Sequence, residues 1–207
     1  MNHGNLDEIR KYFEELRVLG VKPKIDLSTL QKLHKKRKFT KMFNEVRRHL
    51  GINCRFVFSR VRKGGPERSP AWIMLPMNMP QWGTDAFKEL KLEVYFRNEF
   101  LYDVPLETAV FAMAHECSHV ILNSTRHPLQ YEERAVDLTA MMLGFAEVYC
   151  LGRIIDEFSF IKEAHGIRKF LENRGLLRPR DTMPRHYGYL TTLEAVMARS
   201  LIQVYRE

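Results

Sequence analysis

Cysteine is scarce in this sequence: three in 207 residues, far apart at Cys54, Cys117 and Cys150. An odd, scattered set supports neither a disulfide framework nor a cysteine-built zinc knuckle, so a reducing, cytoplasmic location is expected. Also missing is any run of about 18 apolar residues that could span a bilayer. The polar segment Met1 to Arg17 holds no apolar stretch that could serve as a signal-peptide core. No membrane partner is therefore expected. Internal repeats and low-complexity tracts are absent too. What is present is the balance of an ordinary globular protein, 45% hydrophobic and 28% charged, in a chain long enough to bury a core without staples.

Acidic residues are scarcest where basic ones are densest. Between Lys32 and Arg48, eight cations (Lys32, Lys35, Lys36, Arg37, Lys38, Lys41, Arg47 and Arg48) face Glu45 alone, in a chain whose net charge is +8. Such a run can attract nucleic acid or acidic partners. With no base-reading motif beside it, a solvated helical face is the preferred reading, and nucleic-acid binding through Lys32–Arg48 is not favoured.

The pattern predicts helices first, with Leu6, Ile9, Phe13, Leu16 and Val18 at helical spacing up to Pro23. A second helix is expected after Ser28 as N-cap, running through Leu30, Leu33 and the basic cluster to Leu50, where Gly51 stops it. Short β-like runs follow at Arg55–Val61, Ala71–Leu75 and Leu90–Phe96, the last alternating apolar and polar residues. Pro105, with Asp103 as a possible cap, opens a buried helix from Leu106 to Leu122. A further helix is expected from about Leu129 to about Leu151, with Gly152 a weak terminator. Beyond it come a helix over Phe158 to Leu171, a Pro-containing link from Arg174 to Arg185, and a last amphipathic helix from Thr191 to Tyr205. The fold class implied is α+β. It divides into a basic, helical segment 1–50 and a domain 51–207, with the boundary near Gly51 where helix gives way to sheet.

Chemistry concentrates in the run His115-Glu116-Cys117-Ser118-His119. Residues four apart share one face of a helix, so His115 and His119 can offer ring nitrogens to a single ion. Glu116 lies one position round, where it can act on an attacking water as general base without being a ligand. The surrounding helix is apolar, and burying two imidazoles and a carboxylate there is costly unless a cation holds them together. Cys117 reads as a small buried residue. Candidates for a third ligand are His127, Glu133 and Asp137, with Glu132 in reserve. A third histidine six residues after His119 is excluded, because Thr125 stands there. His127, in the connecting loop before Pro128, is read as a surface or capping residue.

The His-Glu-x-x-His run with a downstream Glu133-Arg134-Ala135-Val136-Asp137 resembles the gluzincin zinc metallopeptidases, over roughly Leu90 to Leu151, as a compact member. The resemblance implies a zincin-like fold, a small mixed sheet packed on an active-site helix and a glutamate-bearing helix, with extra helices at both ends. It further implies Zn2+ as cofactor, His115, His119 and Glu133 as ligands, and Asp137 as acceptor for the far nitrogen of His115. Gluzincins often stabilise the oxyanion with a His or Tyr from beyond the glutamate helix, which points to His186 and Tyr189. Tyr187 and Tyr189 read equally well as packing residues at the start of the last helix. The expected reaction is hydrolysis of a peptide or protein substrate lying along an edge strand, for which Leu90–Phe96 is the candidate. The competing reading is a nucleic-acid-associated regulatory protein with a structural or vestigial zinc site. Glu116 argues against it, since a structural site needs no base.

Overall fold

Apolar residues every third or fourth position make the first helix, α1 (Leu6–Leu16), which buries Ile9, Tyr12, Phe13 and Leu16. The computed structural model describes residues 6–66, 69–152 and 188–206. After α1 come α2 (Leu27–Lys35), α3 (Phe39–Leu50), β1 (Arg55–Val61), β2 (Ala71–Met74), α4 (Asp85–Glu89), β3 (Lys91–Arg97), α5 (Asn98–Asp103), α6 (Leu106–Ser124), α7 (Glu133–Ala140) and α8 (Thr192–Arg206). The fold is α+β: a small mixed sheet against the helix that bears the His-Glu-x-x-His run and the helix that bears Glu133, flanked by N- and C-terminal helices. The expected elements over 158–171 and 174–185 lie outside the described residues.

Several boundaries differ from the expectation. The single helix foreseen from Ser28 to Leu50 is two, α2 and α3, because the chain turns at Arg37, whose φ is +52°. Lys38 N–H reaches back to Leu33 O at 2.9 Å and Arg37 N–H to His34 O at 2.8 Å. That pair of bonds is a Schellman ending with Arg37 where glycine is usual. The N-cap of α2 is Asp26, which accepts from Ser28 N–H, and not Ser28 itself. Gly51 does end α3, in the left-handed conformation at φ 79°. Val18, expected to pack, is 80% exposed beyond the end of α1. The helix foreseen from Leu129 starts at Glu133. Pro105 caps α6, while Asp103 closes the unforeseen short helix α5.

The sheet order is β1-β3-β2, with β1 parallel and β2 antiparallel to β3. The strand proposed as an edge for substrate is thus the central one. Both sides of β3 are already hydrogen-bonded, which leaves β2 and β1 as edges. One continuous core takes in Phe43 and Val46 from α3, Leu92, Val94 and Phe96 from β3, nearly all of α6, and Ala135 to Leu138 from α7.

The helix begun by α7 runs on to Gly152, long and apolar enough by composition to cross a bilayer, yet 83% of it is buried inside the protein, as in a core helix. It is broken at Met141–Phe145, where Leu143 and Gly144 leave helical angles and Gly144 has φ 110°. Three successive carbonyls there are taken by the N-terminal segment. Lys22 N–H donates to Met142 O (3.0 Å) and Ile25 N–H to Gly144 O (3.1 Å), while His49 Nε2 meets Leu143 O at 3.1 Å.

Candidate metal centre

Helix α6 is buried on almost every face, so polar side chains such as His115, Glu116 and Ser118 sit inside the protein. Ser118 satisfies itself by donating to Ala114 O, one turn back. The histidines cannot do this. Their side chains leave one face of α6 a turn apart, and their Nε2 atoms approach to 3.2 Å. Glu133, the first residue of α7, brings Oε2 to 3.2 Å from Nε2 of His115 and 3.5 Å from Nε2 of His119. That oxygen is buried and, among the described residues, has no hydrogen-bond partner.

A buried oxygen facing two ring nitrogens is an arrangement that a cation would satisfy. Tetrahedral zinc with bonds of about 2.0–2.2 Å requires ligand atoms about 3.3–3.5 Å apart, which the three observed separations approach closely. His115, His119 and Glu133 therefore fit a metal ion as a group. Among the described residues three ligands meet, which leaves a fourth position for water or substrate, as in catalytic sites. With Asp137 behind His115, the cluster matches the gluzincin-type zinc-binding geometry.

Asp137 is fully buried and accepts from Nδ1–H of His115 at 2.8 Å through Oδ1. Its Oδ2 accepts from Leu190 N–H (3.2 Å), Tyr189 N–H and, at 3.4 Å, the Tyr149 hydroxyl. The chain at 188–190 comes this close because residue 188 is glycine: a Cβ there would lie 2.5 Å from the Tyr149 ring and 3.0 Å from Asp137 Oδ2, at φ +121°. The start of α7 is fixed by Arg134, whose guanidinium pairs with Glu8 of α1 and Glu194 of α8. Glu194 also accepts from Thr191 N–H at 2.7 Å while its own N–H donates to the Thr191 hydroxyl, a capping box that begins α8.

Burial works against charge on His115, but the carboxylates of Asp137, Glu133 and Glu116 outweigh it and push its pKa up to about 10. Burial likewise opposes ionisation of Glu133, and the two imidazoles reverse it, holding the carboxyl well below its usual range. The metal-free site thus holds a proton where a cation fits.

Tyr189 lies with its ring stacked on His115, centroids 5.7 Å apart and planes 23° apart. Burial, with the charges of Glu133, Asp137 and Glu116, pushes the phenol up to about 12, so it stays protonated and able to donate. His186 and Tyr187 lie outside the described residues. His127 is buried but away from the cluster, accepting from Leu129 N–H and meeting Glu15 O. Glu132 is the exposed N-cap of α7. Cys117 is fully buried, its thiol pushed up by burial. Sequence reasoning missed Arg134, Tyr149 and the backbone at Leu190.

Compared with protein families, with curated proteins and with solved structures, the chain matches none of them.

Proposed function

We propose that this chain is a zinc-dependent peptidase of gluzincin type. The observation that carries the reading is the buried triangle of His115, His119 and Glu133, placed beside a carboxylate, Glu116, that the triangle does not use. In this reading His115, His119 and Glu133 hold Zn2+, and Asp137 keeps His115 in the tautomer whose Nε2 lone pair faces the ion. The ion supplies polarisation of the scissile carbonyl and a lowered pKa for the attacking water. Glu116 accepts the proton of that water and passes it to the leaving amine. Tyr189 donates a hydrogen bond to the oxygen that gains charge, with His186 as the second candidate for that role.

Substrate is assigned to the free edge of β2. Among the described residues β2 pairs only with β3, and it packs against α6, whereas β1 lies on the far side of the sheet. An extended peptide or protein segment can pair there through main-chain hydrogen bonds. The three cysteines, none in a disulfide, support a reducing, cytoplasmic setting. The competing reading, a structural zinc in a nucleic-acid-associated protein, gives Glu116 no task.

The test is Glu116→Gln. Zinc content and fold should persist while hydrolysis falls by about 10²- to 10⁴-fold, the usual worth of a general base. Cleavage profiling of a proteome with wild type against the variant supplies the substrate and the rate. Near-normal turnover by the zinc-loaded variant rejects the mechanism; loss of zinc would make Glu116 a ligand.

A further inference from the structure

The turn between α2 and α3 carries a density of charge that the metal site does not use. From Leu27 to Asn44 the chain has six cations, Lys32, Lys35, Lys36, Arg37, Lys38 and Lys41, and no acidic residue. All six are exposed, and none makes an ion pair with another described residue. A cluster of like charges left unpaired is costly to the fold through self-repulsion. Here the repulsion is also fixed in place. Arg37 holds a left-handed φ of +52°, a conformation that disfavours a side chain, at a turn where glycine would serve.

The guanidinium of Arg37 lies over the ring of Tyr102, 4.3 Å from its centroid, and Arg60 from the end of β1 donates to the same tyrosine's hydroxyl at 3.1 Å. Phe39 braces that ring from the edge, centroids 5.3 Å apart. Tyr102 therefore gathers cations from two separate segments onto one surface. The hairpin that presents them is anchored at its root: Ile25, just before α2, and His49, in the last turn of α3, make the hydrogen bonds to Gly144 O and Leu143 O. The patch is held in shape before any partner arrives, which lowers the ordering cost of binding.

The structure assigns this surface to the phosphate backbone of nucleic acid, bound without reading of bases. An anionic membrane fits less well, because a helix that lies on lipid presents an apolar face. Here Leu30, Phe39, Met42 and Phe43 are all turned into the core. Closely spaced, exposed lysines with two arginines beside an aromatic ring are the groups that phosphate contacts use. The assignment is independent of the peptidase reading.

The test uses the full, metal-loaded chain and fluorescence anisotropy with a labelled duplex of about 30 base pairs, as salt rises from about 50 to about 200 mM. The expected result is a log–log salt slope of about −4 to −6, with little dependence on sequence. In the triple variant Lys35→Ala, Lys36→Ala, Lys38→Ala, affinity should fall at least tenfold and the slope flatten by about 3. All three side chains are exposed, so a melting temperature no lower than wild type's, with unchanged zinc content, should exclude misfolding. Vesicles with about 30% phosphatidylserine and polyglutamate serve as competitors of other classes. No duplex binding at low salt, equal binding by the triple variant, or binding to vesicles or polyglutamate in preference to duplex would each overturn the assignment.

Discussion

Asp137 and His115 form the joint between the two site helices: Oδ1 of the carboxylate takes Nδ1–H of the ring at 2.8 Å, which turns Nε2 toward His119 and Glu133. The same carboxylate gathers the backbone of residues 189 and 190, so one buried side chain orients a ligand and docks the chain before α8. Asp137→Asn removes the charge and leaves the amide to satisfy donors with a single oxygen. Zinc affinity, measured by competition with a chromophoric chelator, should drop by about 10- to 100-fold. Unchanged affinity would mean that the ring is held by α6 alone.

The ligand set has its own test. His115→Ala, His119→Ala and Glu133→Ala should each lower bound zinc to well below one per chain, because two remaining ligands do not hold a tetrahedral site. His127→Ala should keep full zinc and lose about 1–2 kcal/mol of stability, through its bonds with Leu129 N–H and Glu15 O. Zinc loss in the His127 variant with retention in the Glu133 variant would reassign the third ligand.

Protons should compete with the metal in a predictable direction. In the folded, metal-free protein the pKa of His115 rises from 6.5 to about 10, so its contribution to stability is full below pH 6.5 and lost as pH climbs through about 10. Glu133 runs the other way: its depressed pKa stabilises above 4.5, and the contribution is lost as pH falls below that value. Metal-free protein should therefore melt highest between about pH 4.5 and 6.5 and lose stability toward pH 10. Zinc takes the place of the His115 proton, so binding near pH 7.5 should release about one proton per ion from this pair. Calorimetry in buffers of different ionisation heat measures that number. Zero release would mean that the free site is not protonated.

Much of this was legible in the sequence, for identifiable reasons. The pairing of His115 with His119 could be read because helical periodicity fixes which side chains meet, whereas the roles of Glu133 and Asp137 came from the resemblance to the gluzincins. Strand β1 was placed to the residue, since a run such as Phe56-Val57-Phe58 has one natural reading. The central place of β3 was hidden, because pairing order is a long-range property that no local pattern encodes. One helix end was hidden for a different reason. Gly51 announces the end of α3, but α2 ends with Arg37 at the left-handed position, in the same hydrogen-bond pattern that Arg126 takes at the end of α6, which falls within two residues of where it was expected. Arginine carries no turn signal.

The residue at the end of α6 gives a test of that account. Arg126→Gly places the residue without a Cβ at φ +53° and should stabilise the protein by about 1 kcal/mol in the folded state, offset in part by added freedom in the unfolded chain. A rise of a few degrees in melting temperature, with zinc affinity unchanged, is the expected outcome. A fall would mean that the Arg126 side chain contributes more than its backbone strain costs.

Gly144 links the N-terminal segment to the metal helix, and its replacement tests whether that link matters to the site. A Cβ there would lie 2.4 Å from Pro23 O and 2.5 Å from His49 Nε2, at φ 110°. The Pro23 backbone cannot yield without disturbing the bonds from Lys22 and Ile25 N–H to the interrupted helix, and the His49 side chain cannot swing away without losing its bond to Leu143 O. Gly144→Ala should therefore cost more than about 2 kcal/mol. Glu133 and Asp137 stand on the same helix, seven to eleven residues before Gly144 and on the other side of the break. If the clamp sets the position of that helix, zinc affinity should fall together with stability in Gly144→Ala. A loss of stability with zinc affinity unchanged would show that the break at Met141–Phe145 insulates the metal ligands from the N-terminal segment.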